Sequence, residues 1–451
     1  MRKQRVIFLL LLLCTFIASC SPGHLGSNVL AFIRNGHLWT SDPDGANAFE
    51  VVAQDASVVG YTWSPTHQIL SYRILDTDFA KTSVAKHLSA NSTTGLITDT
   101  PSTLNTIGVD GGTPISIAFS SPDIRYSNAA WNANGTRLLY RQTATSFSGN
   151  PSHANWWISQ NDQPGGIAIK SLPGSYSIPS LSYVTQHYQA LGNSSNGLFT
   201  TSLAGTQLHA LTSEPLPGHP LPASLERILW QPGHQDHAFL YARTLSANDA
   251  PSTGTSAAPL SVQLVIQSLS GQLSPVSTCT CTQFSWSPDG NSILFTAGTK
   301  NTILNIQNNA SFSFDVENGS VPYWSPDAAF LLLDAPHGLV LVNVSTKQQI
   351  SLLKDSQPQE NLQPVQGDRL TTSTLLQPIA NSLWAADSRH FLFLTHDRLL
   401  WQGKLLHPGK GLYTVSIDTA GHPQGDPTVV NTGDDTQAGW TYQDPNTSFL
   451  Y

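Results

Sequence analysis

Phe284-Ser285-Trp286-Ser287-Pro288-Asp289-Gly290, followed at once by Ser292-Ile293-Leu294-Phe295, reads as a strand ending in Trp, a tight turn and a return strand. Pro288 pre-sets φ for an early turn position, and Gly290 supplies the positive φ that closes a short hairpin. Weaker copies run through the chain: Trp63-Ser64-Pro65, Trp131-Asn132-Ala133-Asn134-Gly135, Trp230-Gln231-Pro232-Gly233, Trp324-Ser325-Pro326-Asp327, Trp384-Ala385-Ala386-Asp387 and finally Trp440. Their Trp positions are 68, 99, 56, 38, 60 and 56 residues apart. A repeat of blade length, stretched by loop insertions, accounts for every interval but the second. That interval holds two third-strand segments, Asn155–Ser159 and Gly197–Ser202, so a first strand is expected between them, at Ile178–Tyr183, with Tyr183 in the place of Trp.

Eight first strands follow, anchored by Trp63, Trp131, Tyr183, Trp230, Trp286, Trp324, Trp384 and Trp440. Seven is the alternative, with residues 175–212 an embellishment. The composition agrees with an all-β chain: charged residues are 11% and aromatics 9%, with 33 Gly and 29 Pro, and Lys and Glu are too scarce for long wet helix faces. The two ends complement each other. The chain opens on Val29–Ile33 with no first strand before it, and closes on the first strand Ala438–Thr441. A C-terminal strand completing the N-terminal blade would close a ring of four-stranded blades and leave no open edge. The expected organisation is a single propeller domain over residues 29–451.

The Trp286–Gly290 unit, and Trp39-Thr40-Ser41-Asp42-Pro43-Asp44-Gly45 before a strand, resemble the repeats of TolB-type and WD-like bacterial propellers. The resemblance implies a closed propeller with its Trp residues packed between blades. TolB carries an α/β domain ahead of its propeller, whereas this chain enters its first strand within ten residues of Cys20. The repeats also resemble the propellers of dipeptidyl-peptidase-like proteins, but no residues remain here for their hydrolase domain.

Met1-Arg2-Lys3-Gln4-Arg5, the apolar run Val6–Ile17 and Ala18-Ser19-Cys20 have the charge, length and small-residue pattern of a secretory signal. Ile17-Ala18-Ser19-Cys20 resembles the bacterial lipobox. That implies removal of residues 1–19, lipidation of Cys20 and a short tether over 20–28, so the globular part is expected to be exported and lipid-anchored to a bacterial membrane. Losing Arg2, Lys3 and Arg5 leaves eighteen bases against 29 acids, a formal charge of −11. That balance argues against a nucleic-acid partner and against a polybasic contact with anionic lipid. Cys279 and Cys281, one residue apart in an oxidising compartment, are read as a local disulfide or two inert thiols rather than metal ligands.

Catalytic patterns are missing. There is no Gly-x-Ser-x-Gly elbow and no glycine-rich phosphate loop, and the five Glu make a paired-Glu site improbable. His234-Gln235-Asp236-His237 is accounted for by a solvated turn, and Asp42/Asp44, Asp76/Asp78 and Asp434/Asp435 by turn chemistry, since none shows the spacing of a calcium loop. Trp156-Trp157 and Trp401 suit inter-blade packing better than sugar or peptide stacking. No catalytic residue, metal or cofactor is assigned.

The insertions Asp76–Ser102, Thr244–Leu260 and Ser356–Ala380 all join strands at the end opposite the Trp turns. They are expected to form one binding face for an envelope protein or small ligand. The sequence therefore predicts a binding module of the cell envelope without chemistry of its own; a propeller hydrolase or lyase with acids or histidines at the channel mouth is the alternative.

Overall fold

Antiparallel strand pairs closed by the Trp turns are the building unit. Gln283–Trp286 pairs with Ser292–Ala297, setting Trp286 opposite Ile293 and Phe284 opposite Phe295. Lys300–Asn305 and Ser311–Asp315 complete that sheet. Between the first two strands, Gly290 has φ 69°, and its N–H donates to Ser287 O at 2.8 Å.

The structure is a computed structural model. It describes residues 28–440 apart from 53–56, 67, 77, 79–100, 120, 122–123, 132–134, 146–150, 169–176, 182–188, 195–196, 203–207, 211–224, 226–227, 233–237, 245–260, 269, 336–337, 356–382, 396–398, 407–410 and 433–434. Every named element is a β-strand, and the strands form eight antiparallel sheets among the described residues.

Five sheets have four strands. The second runs Val58–Trp63, Ile69–Leu75, Ser102–Gly108, Gly111–Ala118; the fifth Ile228–Trp230, Ala238–Thr244, Val262–Ser268, Leu273–Cys279. The fourth, Ser177–Leu181, Gln189–Ser194, Gly197–Ser202 and Leu208–Ala210, fills the long Trp-to-Trp interval; Tyr183 itself lies outside the described residues. The sixth is the sheet of Trp286. The first sheet joins the two ends of the chain. Leu30–Arg34 pairs with His37–Ser41 on one side and with Asp435–Trp440 on the other, Leu30 facing Trp440.

Three sheets depart from the expected four strands. In the third, the inner strand is split into Ile124–Tyr126 and Ala130–Trp131, both paired with Arg137–Thr145. Asn128 has left the ladder in the gap, and its Oδ1 accepts Arg73 Nε at 2.6 Å. The eighth sheet has three strands, His390–Thr395, Gly411–Ser416 and Thr428–Asn431, its expected first strand reduced to the Trp384–Phe391 bridge. The seventh has six. Its own four, Val321–Trp324, Phe330–Ala335, Gly338–Asn343 and Gln349–Asp355, are extended by Leu399–Trp401 and Lys404–Leu405, with Trp401 opposite Leu353. This hairpin leaves its neighbours in sequence because pairing there covers an open edge. It also buries Trp401, 2% exposed, flat against Phe393 with ring centroids 6.1 Å apart.

The core lies between sheets. Leu30, Phe330, Trp384, Phe391 and Trp440 belong to one apolar cluster shared by the first, seventh and eighth sheets. Further clusters join the first sheet to the second, the second to the third, the fifth to the sixth and the sixth to the seventh.

Candidate functional site

Strand direction gives the sheets two ends. At one lie the Trp turns and the links from third to fourth strands; at the other lie the links from second to third strands and from each sheet to the next.

The Trp-turn end is closed by its own side chains. Trp63, Trp131, Trp286, Trp324, Trp384 and Trp440 are at most 2% exposed and Trp230 5%. Four indole N–H groups donate backwards to the residue just before the preceding Trp: Trp131 to Thr62 Oγ1, Trp286 to Leu229 O, Trp324 to Ser285 Oγ and Trp384 to Tyr323 O, each at 3.1 Å. In these four the bond satisfies the buried indole N–H and ties neighbouring sheets together; the indole N–H groups of Trp63, Trp230 and Trp440 are buried without such a bond.

The aspartates of the turns cap them. Asp289 accepts Asn291 N–H at 3.1 Å and Ser287 Oγ–H at 2.5 Å. Asp327 accepts Ala329 N–H at 3.0 Å and Ser325 Oγ–H at 2.7 Å. Burial alone would raise the Asp289 carboxyl; the bonds from Ser287 and Asn291 outweigh it and hold it below its ordinary value. Neighbouring turns are linked as well, Gln231 Nε2 donating to Gly290 O at 2.8 Å and Asp327 N to Ser388 Oγ at 2.9 Å.

The eighth-sheet turn is different. Ala385 stands where Ser287 and Ser325 stand, so Asp387 has no turn hydroxyl to hold. Its Oδ1 accepts Arg389 N–H at 2.8 Å, while Oδ2 meets His390 Nδ1 at 2.6 Å and Asn28 Nδ2 at 2.6 Å. Burial opposes ionisation, but the bonds from His390, Arg389 and Asn28 prevail and bring the Asp387 carboxyl down to about 2. Sequence reasoning did not find this cluster, although Ala385 in a Ser position was a readable sign of a carboxylate with a different partner.

At the opposite end the described residues hold buried polar groups between sheets. Arg73, 1% exposed, donates to Asn128 Oδ1 and, through Nη1, to Tyr126 O at 2.8 Å. Asn301, fully buried, accepts Thr296 Oγ1–H at 2.6 Å, and Gln283 Nε2 bridges Thr296 Oγ1 and Ser320 O. Neither network was foreseen. Cys279 and Cys281 are disulfide-bonded, with Cα atoms 5.1 Å apart, and the bridge ties the outer strand of the fifth sheet to the entry of the sixth.

The loop interiors 79–100, 245–260 and 356–380 lie outside the described residues, as do Cys20, His234–His237 and Asp434. Asp42 and Asp44 hold their own turn, accepting Asn47 Nδ2 at 2.7 Å and Ala46 N–H at 2.9 Å. Trp156 and Trp401 are buried, 8% and 2% exposed. Among the described residues no group of three His, Cys, Asp or Glu comes together to hold a metal ion.

No family model matches the chain, and no curated protein sequence matches it. Solved structures do. The chain is similar to dipeptidyl peptidase 4 of Porphyromonas gingivalis, with 8% identity and a TM-score of 0.54 over 82% of this chain and 56% of that one. It is also similar to a eukaryotic initiation factor, with 10% identity and a TM-score of 0.51 over 93% of this chain and 100% of that one. With TolB from Acinetobacter baumannii it has 12% identity and a TM-score of 0.32, over 75% of this chain and 62% of that one. What this chain shares with the first two is the fold, an all-β array of four-stranded antiparallel sheets of the propeller kind.

Proposed function

We propose that the chain is a lipid-anchored, extracytoplasmic β-propeller that binds a protein or small ligand of the cell envelope and catalyses no reaction. The ring is read as closed and eight-bladed, supported by the pairing of Leu30 with Trp440 and by the eight sheets. Lipidation at Cys20 rests on Ile17-Ala18-Ser19-Cys20 after a signal-like segment.

The observation that carries the binding reading is the contrast between the ends. At the turn end the described Trp turns are short, and four Trp indoles and the turn aspartates are engaged in hydrogen bonds within it. The insertions, 76–102, 244–260 and 356–380, all join strands at the other end, where loops on a rigid scaffold make adaptable recognition surfaces. Deleting 245–260 and 356–380, with the fold checked by its thermal transition, is expected to abolish capture of a partner from envelope extracts. Undiminished capture overturns the loop-face reading. Turnover of a glycan or peptide by the purified chain replaces it with the hydrolase or lyase alternative.

A further inference from the structure

The chain enters its fold at the Trp-turn end. Leu30 lies opposite both Ser41 and Trp440, the last residues of their strands at that end. One residue earlier than Val29, Asn28 is held by Asp387, inside the turn of the eighth sheet. Further from the inner edge, Thr414 Oγ1 donates to Pro43 O at 2.7 Å and ties the eighth sheet to the link after the third strand of the first. The emerging N-terminus is thus held at one face by the Asn28–Asp387 bond and by the pairing of Leu30 with Ser41 and Trp440.

From this the geometry points to a defined orientation: the Trp-turn face lies against the bilayer, and the opposite face, with the long insertions, points away from it. The inference rests on lipidation at Cys20. From Cys20 to Asn28 the chain takes eight steps, a reach of at most about 28 Å. Reaching the other face from the inner edge means crossing three strand spacings, about 14 Å, and then climbing a six-residue strand, about 20 Å. The sum exceeds the reach, so the lipid cannot be delivered around the rim. Partners arriving from the compartment would then meet the insertions first.

The turn face also carries a charge that identifies it. Among its described residues are nine aspartates, from Asp42 to Asp426, against the basic Arg137, Lys347 and Arg389. An acidic face tethered close to anionic lipid is repelled over about 10 Å at 0.1 M salt and further at lower salt. The lipid holds the face near; its charge sets the stand-off.

The test uses the full-length protein purified from membranes and reconstituted into vesicles carrying a headgroup energy acceptor. Asn308→Cys and Thr299→Cys, both exposed and at opposite ends of the sixth sheet, are labelled in turn with a donor. Across the roughly 20 Å between them, transfer from position 308 is expected to be about twofold higher or more. Raising the anionic lipid fraction at low salt should weaken transfer from 308 more than from 299, and added salt should restore it. Inserting twenty Gly/Ser residues before Ser27 should erase the difference between the labels. Equal transfer with the native tether, or stronger transfer from 299 as when the tether threads the ring, overturns the orientation while leaving the anchor intact. Absence of acyl mass on Cys20, with no flotation on vesicles, overturns the anchor and the orientation with it.

Discussion

Two turns of one pattern do different work. In Trp286-Ser287-Pro288-Asp289 the carboxylate folds back on Ser287 and Asn291 and seals its own hairpin. In Trp384-Ala385-Ala386-Asp387 the hydroxyl is gone, and the carboxylate reaches His390 and the incoming Asn28. The backbone geometry is kept: Gly290, Ala328 and Ser388 occupy the same turn position with φ of 69°, 57° and 59°. With the hydroxyl gone, Asp387 Oδ1 still caps its own turn through the Arg389 N–H, while Oδ2 is left to hold the entering Asn28. Repetition fixes the turn geometry, and the departure at Ala385 frees one carboxylate oxygen to hold the N-terminal segment.

The largest effects should come from the feature the two turns share. Trp286→Ala and Trp384→Ala each remove a fully buried indole and its bond to the preceding sheet. Each is expected to cost about 3–5 kcal/mol of unfolding free energy in urea titrations. A cost below about 1 kcal/mol for either would mean that the Trp residues are not the spacers between sheets.

The aspartates should then separate the turns. Asp289→Ala is expected to destabilise the fold by about 1–2 kcal/mol, from lost charge-assisted bonds within one hairpin. Its amide-exchange effect should stay near residues 287–292. Asp387→Ala should spread further, increasing exchange at Leu30 and Ala31 as well as at Arg389 and His390. Confinement of both effects to their own hairpins would erase the distinction between the two turns.

How much of this was legible follows the same line. The Trp turns, their Gly or Asp positions and the joined ends could be read because they rest on local turn chemistry and a repeated pattern. The fourth sheet was readable with no Trp, from two third-strand segments in one interval. The hairpin Leu399–Leu405 on the seventh sheet was not, since nothing in Leu399-Leu400-Trp401 says which edge it will cover; that is settled by long-range pairing and by the face of Phe393. Asn128 leaving its ladder for Arg73 was equally hidden, because the two residues are 55 apart and meet only once two sheets have packed. Of the candidate site, the strand ends that the insertions join were legible, while the polar networks between sheets depend on contacts that sequence spacing does not encode.

A smaller effect tests the turn position itself. Ala328 pays for a left-handed conformation that glycine adopts freely. Ala328→Gly is expected to gain about 0.5 kcal/mol, the relief of strain slightly exceeding the entropy glycine adds to the unfolded chain. Gly290→Ala should lose about 1 kcal/mol. Opposite signs at equivalent positions, measured as shifts in urea midpoint at constant m-value, would show that the two turns are one structure carrying different side chains. Equal signs would break the equivalence.

The finest distinction is in acid. The Asp387 carboxyl is lowered from 3.8 to about 2 by its partners, so the folded state releases that proton more readily than the unfolded chain. Its contribution to stability is complete above the unfolded value and is lost as pH falls through about 2. Asp387→Asn should therefore flatten the loss of stability across that window, relative to the parent protein, in urea midpoints taken between pH 4 and 2. Because one of its partners is Asn28, Asn28→Ala should flatten part of the same window, while leaving the slope contributed by Asp289 unchanged. A pH profile indifferent to Asn28 would mean that the N-terminal segment draws no support from the turn, and the fixed exit on which the membrane orientation depends would lose its restraint.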